Sequence, residues 1–152
     1  MAVRVQREDF DTGAEIKRLT AGRTDIGAIV TFTGTVRSGG DRAIATMTLE
    51  HYPGMTEAEL ARVEAEAEKR WPLQASLIVH RFGELHPGDN IVLVVTASPH
   101  RKAAFESAEF LMDYLKTRAT FWKKEADAQG NGDWVDARES DDAALARWGA
   151  GT

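Results

Sequence analysis

The chain has 152 residues, 43% of them apolar and 28% charged, with no cysteine and a formal charge of −5. This length suits a single domain with its own core, and the missing cysteine excludes disulfides, zinc–thiolate sites and a cysteine nucleophile. The acidic balance argues against general nucleic-acid binding. No apolar run approaches the ~20 residues that span a bilayer, and the N-terminal residues lack the apolar core of a signal peptide, so a cytoplasmic protein is expected.

A short strand is predicted at 3–6, then a helix from Asp11-Thr12, which supply cap candidates, to Leu19. Residues 28–37 alternate: Ala28, Val30, Phe32, Gly34 and Val36 point one way, and Ile29, Thr31, Thr33, Thr35 and Arg37 the other. That is a strand with one buried face. With Ser38-Gly39-Gly40-Asp41 as a turn and a second strand at 43–52, it predicts a hairpin. Thr56-Glu57-Ala58-Glu59 matches a capping box and opens a helix to about Trp71, with Leu60, Val63, Ala67 and Trp71 on one stripe and Pro72 ending it.

Strands follow at 74–82 and 90–97, joined by Glu84-Leu85-His86-Pro87-Gly88-Asp89. The run 91–95 is apolar on both faces and reads as a central strand. Ser98-Pro99 suits an N-cap and first helical residue. The helix then runs to about Thr117 with Phe105, Ala108, Met112 and Leu115 inward. Residues 120–126 and 134–138 predict a second hairpin across Gln129-Gly130-Asn131-Gly132. Ser140 is placed to cap a last short helix through Trp148. Hairpins mixed with amphipathic helices indicate an α+β fold.

Charge is not spread evenly. Between residues 100 and 124 six cations (Arg101, Lys102, Lys116, Arg118, Lys123, Lys124) face three carboxylates, a local +3 that leaves −8 for the rest of the chain. A positive field inside an acidic protein suits an anionic ligand. His100 and Arg101 fall in the first turn of a helix, where cations oppose the dipole yet, with free N–H groups, make an anion pocket. Lys116 near the C-terminus of that helix is also a favourable structural cation, with Asp113 one turn back. Lys123 shares a strand face with Phe121, a setting that depresses an amine pKa and makes a usable base or nucleophile. Lys124 points the other way. Arg37 and Arg138 are each a fork for phosphate or carboxylate, or a polar residue on a wet face. The four histidines show no metal-binding spacing, and nothing in the sequence asks for a metal or another cofactor.

Several motifs in order carry a family resemblance: Phe32-Thr33-Gly34-Thr35-Val36-Arg37, Leu49-Glu50-His51-Tyr52-Pro53-Gly54-Met55, His80-Arg81-Phe82-Gly83-Glu84-Leu85, His100-Arg101, the stretch 116–125 and the stretch 134–140. Across about 26–148 the chain resembles the large, catalytic subunits of molybdopterin synthase, the MoaE family. The resemblance implies an α/β hammerhead-type fold with an additional small antiparallel sheet. It implies a sulfurtransferase in molybdenum cofactor biosynthesis that converts cyclic pyranopterin monophosphate to molybdopterin. The two sulfurs would come from the C-terminal Gly-Gly thiocarboxylate of a small ubiquitin-like partner, on a homodimer of large subunits with one small subunit at each end.

Carried over by motif, Lys116 and Lys123 are the catalytic candidates. Arg37, His100, Arg101 and Arg138 would hold phosphate and pterin, some of them from the neighbouring subunit, and Phe32 and Met112 would wall the pocket. The family commonly has proline where Thr120 stands, so the rigidity of that turn is in question. The competing readings are a non-catalytic scaffold for the ubiquitin-like tail and an unrelated Schiff-base lysine enzyme.

Overall fold

A computed structural model describes residues 2–39, 43–117, 121–135 and 145–149. The described residues form two four-stranded sheets and three helices. The larger sheet has the order β1 (Ala2–Gln6), β4 (Ala75–Arg81), β6 (Asn90–Ser98), β2 (Ala28–Thr35), with β1 parallel to β4 and the other pairs antiparallel. Its inner strands are the apolar runs, and Ile78, Val79, Leu93, Val94 and Val95 are fully buried, so 91–95 is central as expected.

Helices α2 (Met55–Arg70) and α3 (Arg101–Thr117) cover one face, packing Leu60, Val63, Ala67, Phe110, Leu111 and Tyr114 on Ile78, Val92 and Val94. The other face buries Leu77, Val79, Leu93 and Val95 beneath Phe10 and Leu19, the latter from α1 (Thr12–Thr20). Helix α1 is capped as its sequence indicates: the Ala14 N–H donates to Asp11 Oδ1 at 3.0 Å. No helix among the described residues is long and apolar enough to cross a membrane.

The smaller sheet has the order β5 (Gly83–Leu85), β3 (Thr46–His51), β7 (Phe121–Ala126), β8 (Gly132–Val135), all antiparallel. This overturns the first predicted hairpin, because β2 and β3 belong to different sheets. The cause lies at the end of β2. A bulge between Gly34 and Thr35 breaks the register with β6. Val36 then donates its N–H to the Asp89 carbonyl at 2.9 Å and accepts from the Gly88 N–H at 2.8 Å. The chain is thus tied to the 86–89 turn, and the Val36 side chain joins the core of the small sheet with Met47, Leu49 and Leu85. Strand β5 lies where the sequence predicts a connecting loop, because three residues are too few to show a period.

Two helix starts also shift. Helix α2 is capped by Gly54, at φ 86°, whose N–H donates to Glu57 Oε1 at 3.1 Å. Thr56 instead accepts the Tyr52 N–H at 3.0 Å from inside the first turn. Ser98 ends β6, and α3 starts at Arg101.

Of the predicted inner stripe of α3, Ala108 is buried and Met112 and Leu115 pack against the core, but Phe105 does not belong to it. Phe105 is 61% exposed, whereas Phe110 and Leu111 are fully buried. Small residues at 103, 104, 107 and 108 let the helix sit close to β6, where the Thr96 hydroxyl donates to the Ala104 carbonyl at 2.7 Å.

The second hairpin is present as β7–β8, with Asp127 Oδ1 accepting the N–H groups of Gln129 and Asn131 across its turn. Residues 136–138 of the predicted partner strand, Thr120, Arg138 and the Ser140 cap lie outside the described residues. Trp148 packs on Trp71 and Phe110 with ring centroids 5.6 and 5.5 Å away.

The contrast between Phe105 and Phe110 makes a stability prediction. Phe110→Ala should cost about 3–5 kcal/mol in urea denaturation, whereas Phe105→Ala should stay within about 0.5 kcal/mol of wild type. The stripe inferred from sequence would give Phe105→Ala a core-sized loss.

Candidate functional site

Helix α3 sorts the candidate residues. β6 runs toward Ser98, and α3 returns across it so that its C-terminal half, Phe110 to Tyr114, packs over Val92 and Val94. At ~1.5 Å per residue the step from residue 100 to residue 116 is about 24 Å along the axis. His100 and Arg101, both exposed, therefore stand at one end of the sheet and Lys116 at the other. The His100 end is held close to the start of β2. The Gly27 N–H donates to the Ser98 carbonyl at 3.0 Å, and a Cβ on Gly27 would lie 2.1 Å from the Pro99 carbonyl oxygen, which leaves room only for glycine.

The Lys116 end is where the other strands converge. β2 ends there, opposite Asn90, and the chain turns Val36 inward and leaves Arg37 exposed. β4 ends there too, with His80 opposite Val92. β7 enters from the small sheet, bringing Phe121 opposite His51 and Lys123 opposite Leu49. Phe121 and Lys123 share the inner face as the alternation implied, and Lys124, opposite Thr48 and Trp134, is exposed on the other. Lys123 Nζ lies 3.6 Å from Glu125 Oε1, with 31% of the lysine side chain and 11% of the glutamate side chain exposed. Met112, one turn before Lys116 on α3, packs against the core, while Phe32 on the edge strand β2 is 40% exposed. The Asp113 carboxylate accepts the Trp148 indole N–H.

Behind Lys116 lies a stack that the sequence reading missed, having considered His51 and His80 only for metal-ligand spacing and as members of family motifs. The His80 and Phe121 rings are nearly parallel (17°) with centroids 3.7 Å apart. The His51 ring stands 6.2 Å from Phe121 and 4.4 Å from Phe82. His80 Nδ1 is 2.8 Å from the Arg81 carbonyl, which can only accept, so Nδ1 carries the proton. Burial pushes the His80 pKa down to about 4, the positive charge of Lys116 and the nearby His51 act in the same direction, and the Arg81 carbonyl opposes them. The available signal was a histidine directly after the apolar run Leu77-Ile78-Val79 in a buried strand. Among the described residues no three His, Asp or Glu converge as a metal site.

Comparison with known proteins decides the family. The profile described as "MoaE protein" matches residues 5–118. The chain belongs to the MoaE family. It is 58% identical over 147 residues to the molybdopterin synthase catalytic subunit of Mesorhizobium japonicum, covering 96% of this chain and 92% of that one. The molybdopterin cofactor biosynthesis protein E of Burkholderia multivorans superposes with a TM-score of 0.82 at 54% identity, over 97% of this chain and 96% of that one. The molybdopterin synthase of Staphylococcus aureus does so with a TM-score of 0.80 at 30% identity, over 88% and 96%. The MoaE architecture thus matches the α+β fold with a small antiparallel sheet expected from sequence.

The buried His80 makes a pH prediction. Its folded pKa, about 4, lies below the ordinary 6.5, so on acidification the unfolded chain takes up a proton that the native state refuses. This contribution to unfolding free energy should be flat above pH ~6.5 and fall by on the order of 3 kcal/mol down to pH ~4. Urea melts across pH 4–8 should show the slope in wild type and a shallower one in His80→Gln.

Proposed function

We propose that this MoaE-family chain is the catalytic subunit of a cytoplasmic molybdopterin synthase. It would convert cyclic pyranopterin monophosphate to molybdopterin with two sulfurs from the C-terminal thiocarboxylate of a small ubiquitin-like partner. The cysteine-free sequence fits, because the sulfur then arrives on another protein. Both ligands are anions, which suits a basic end on an acidic chain. The thiocarboxylate sulfur attacks a side-chain carbon of the pterin and forms a thioester as that carbon's C–O bond breaks, its oxygen leaving as water or as the opened phosphate ester. Water then cleaves the thioester, leaving sulfur on the substrate and a carboxylate on the tail. Lys116 would sit at the thiocarboxylate, assisting attack and release, and Lys123 would stabilise developing charge or move a proton at the pterin side chain.

The observation that carries the arrangement of the site is the ~24 Å of helix between His100-Arg101 and Lys116. One copy cannot put both ends of α3 around one small substrate. A second copy can, with its His100 and Arg101 facing the first copy's Lys116, Lys123 and Arg37. The reading is therefore a homodimer with shared sites, phosphate and pterin held by Arg37, His100, Arg101 and Arg138, Phe32 and Met112 walling the pocket, and one small subunit at each end.

Two experiments test this. With thiocarboxylated partner and substrate, Lys116→Ala and Lys123→Ala should each slow dithiolene formation by about 10²–10³-fold; wild-type rates would defeat the assignment. Next, Lys116→Ala and Arg101→Ala chains are unfolded and refolded together. Half the dimers are then mixed and each mixed dimer keeps one intact site, so activity should recover to about a quarter of wild type. No recovery would place both residues in one chain's site. No dithiolene formation by the wild-type chain with thiocarboxylated partner and substrate would favour a scaffold role, and a borohydride-trapped lysine–substrate adduct without partner would favour a Schiff-base enzyme.

A further inference from the structure

We infer that His80 is a positioning residue for this reaction, holding Lys116 and Lys123 in register by clamping Phe121 between the two sheets. The inference rests on the assignment of the two lysines above and adds a residue to it. His80 belongs to β4 in the large sheet, and Phe121 opens β7 in the small one. Their rings lie flat on each other at 3.7 Å. The imidazole is anchored by its Nδ1–H to the Arg81 carbonyl at 2.8 Å. On the small sheet Phe121 is opposite His51 in register, and the His51 ring leans on Phe82, the residue after Arg81. The phenyl ring is therefore gripped from both β4 and β3.

Its place in the chain gives the grip a consequence. Phe121 lies five residues after Lys116 and two before Lys123. It is the fixed point between the helix end that carries one lysine and the strand that carries the other. Releasing it would leave both lysines on elements that still fold but no longer share a fixed relative position. An error of ~1 Å in such placement costs up to about 10²-fold in rate.

The clamp needs a flat ring with a donor on its edge, and it needs that ring neutral. The charged and titratable groups facing it are Lys116 from α3 and His51 from β3, with the neutral Arg81 carbonyl on its own strand, so a proton on His80 would add a cation beside Lys116. Phenylalanine would keep the flat face and lose the anchor to Arg81. Glutamine would keep a donor and lose the face.

The experiment is steady-state dithiolene formation by the assembled synthase with His80→Phe, His80→Gln and Phe121→Leu. Positioning predicts kcat down about 10- to 100-fold in each. KM for substrate and for thiocarboxylated partner should stay within about threefold, and far-UV circular dichroism should be unchanged. The His80→Phe/Phe121→Leu double variant should be little worse than either single one, because both break one clamp. A wild-type kcat in either His80 variant would overturn the inference, and so would a loss confined to KM or a fully additive double variant. If a His80 variant does not fold, Phe121→Leu alone carries the test with the same outcomes. Should Lys116→Ala and Lys123→Ala also keep wild-type rates, the assignment of the lysines fails rather than the clamp alone.

Discussion

A straight helix cannot bring its two ends together, and in this protein that constraint governs everything functional. Seventeen residues of α3 lie across β6 and β2 and separate the two groups of cations that the sequence presents as one patch. The helix can lie so flat because its inner face is built of alanine and serine at the start and of Phe110, Leu111 and Tyr114 further on. The close approach at Ala104 and the bulky packing near Tyr114 fix its tilt, and with it the position of Lys116 at the end of the sheet. The cations of one chain are therefore divided between the two ends of α3. The chemistry proposed for the family member becomes coherent once a second chain supplies the missing half.

The other determinant is the junction of the two sheets. Val36 ends the edge strand of the large sheet and enters the core of the small one, tied by backbone hydrogen bonds to the 86–89 turn. On the other side of the junction His80 meets Phe121. These two joints bring the end of β2, with Arg37, and the start of β7, with Lys123, to the same edge as Lys116. Neither sheet alone would form the site; the residues that join the sheets also place the cations.

Much of this was legible in the sequence where a period or a cap was long enough to read. The Asp11 cap, the apolar run 91–95 and the alternation that puts Phe121 and Lys123 on one face emerged as they stand, and the second hairpin emerged with its return strand starting two residues early, at Gly132. Family motifs linked Lys116, Lys123, Arg37, His100 and Arg101, which are far apart in the chain. What failed did so for physical reasons. Adjacent strands around a glycine turn look like a hairpin, and nothing local reveals a bulge that sends one of them to another sheet. Alanine and serine are weak hydrophobic signals, so the first turns of α3 offered Phe105 as the apparent inward residue. His80 was passed over because histidine invites a metal question, while its actual surroundings are a phenyl ring and a carbonyl.

The central claim is that one site is built from both ends of α3, contributed by two copies. A crystal structure of the assembled dimer with the Gly-Gly tail of the ubiquitin-like partner bound tests it most directly. The account predicts the tail's terminal carboxyl group at Lys116 of one copy, with His100 and Arg101 of the other copy lining the same pocket. A tail terminus enclosed by a single chain, or one seated away from Lys116, would contradict it.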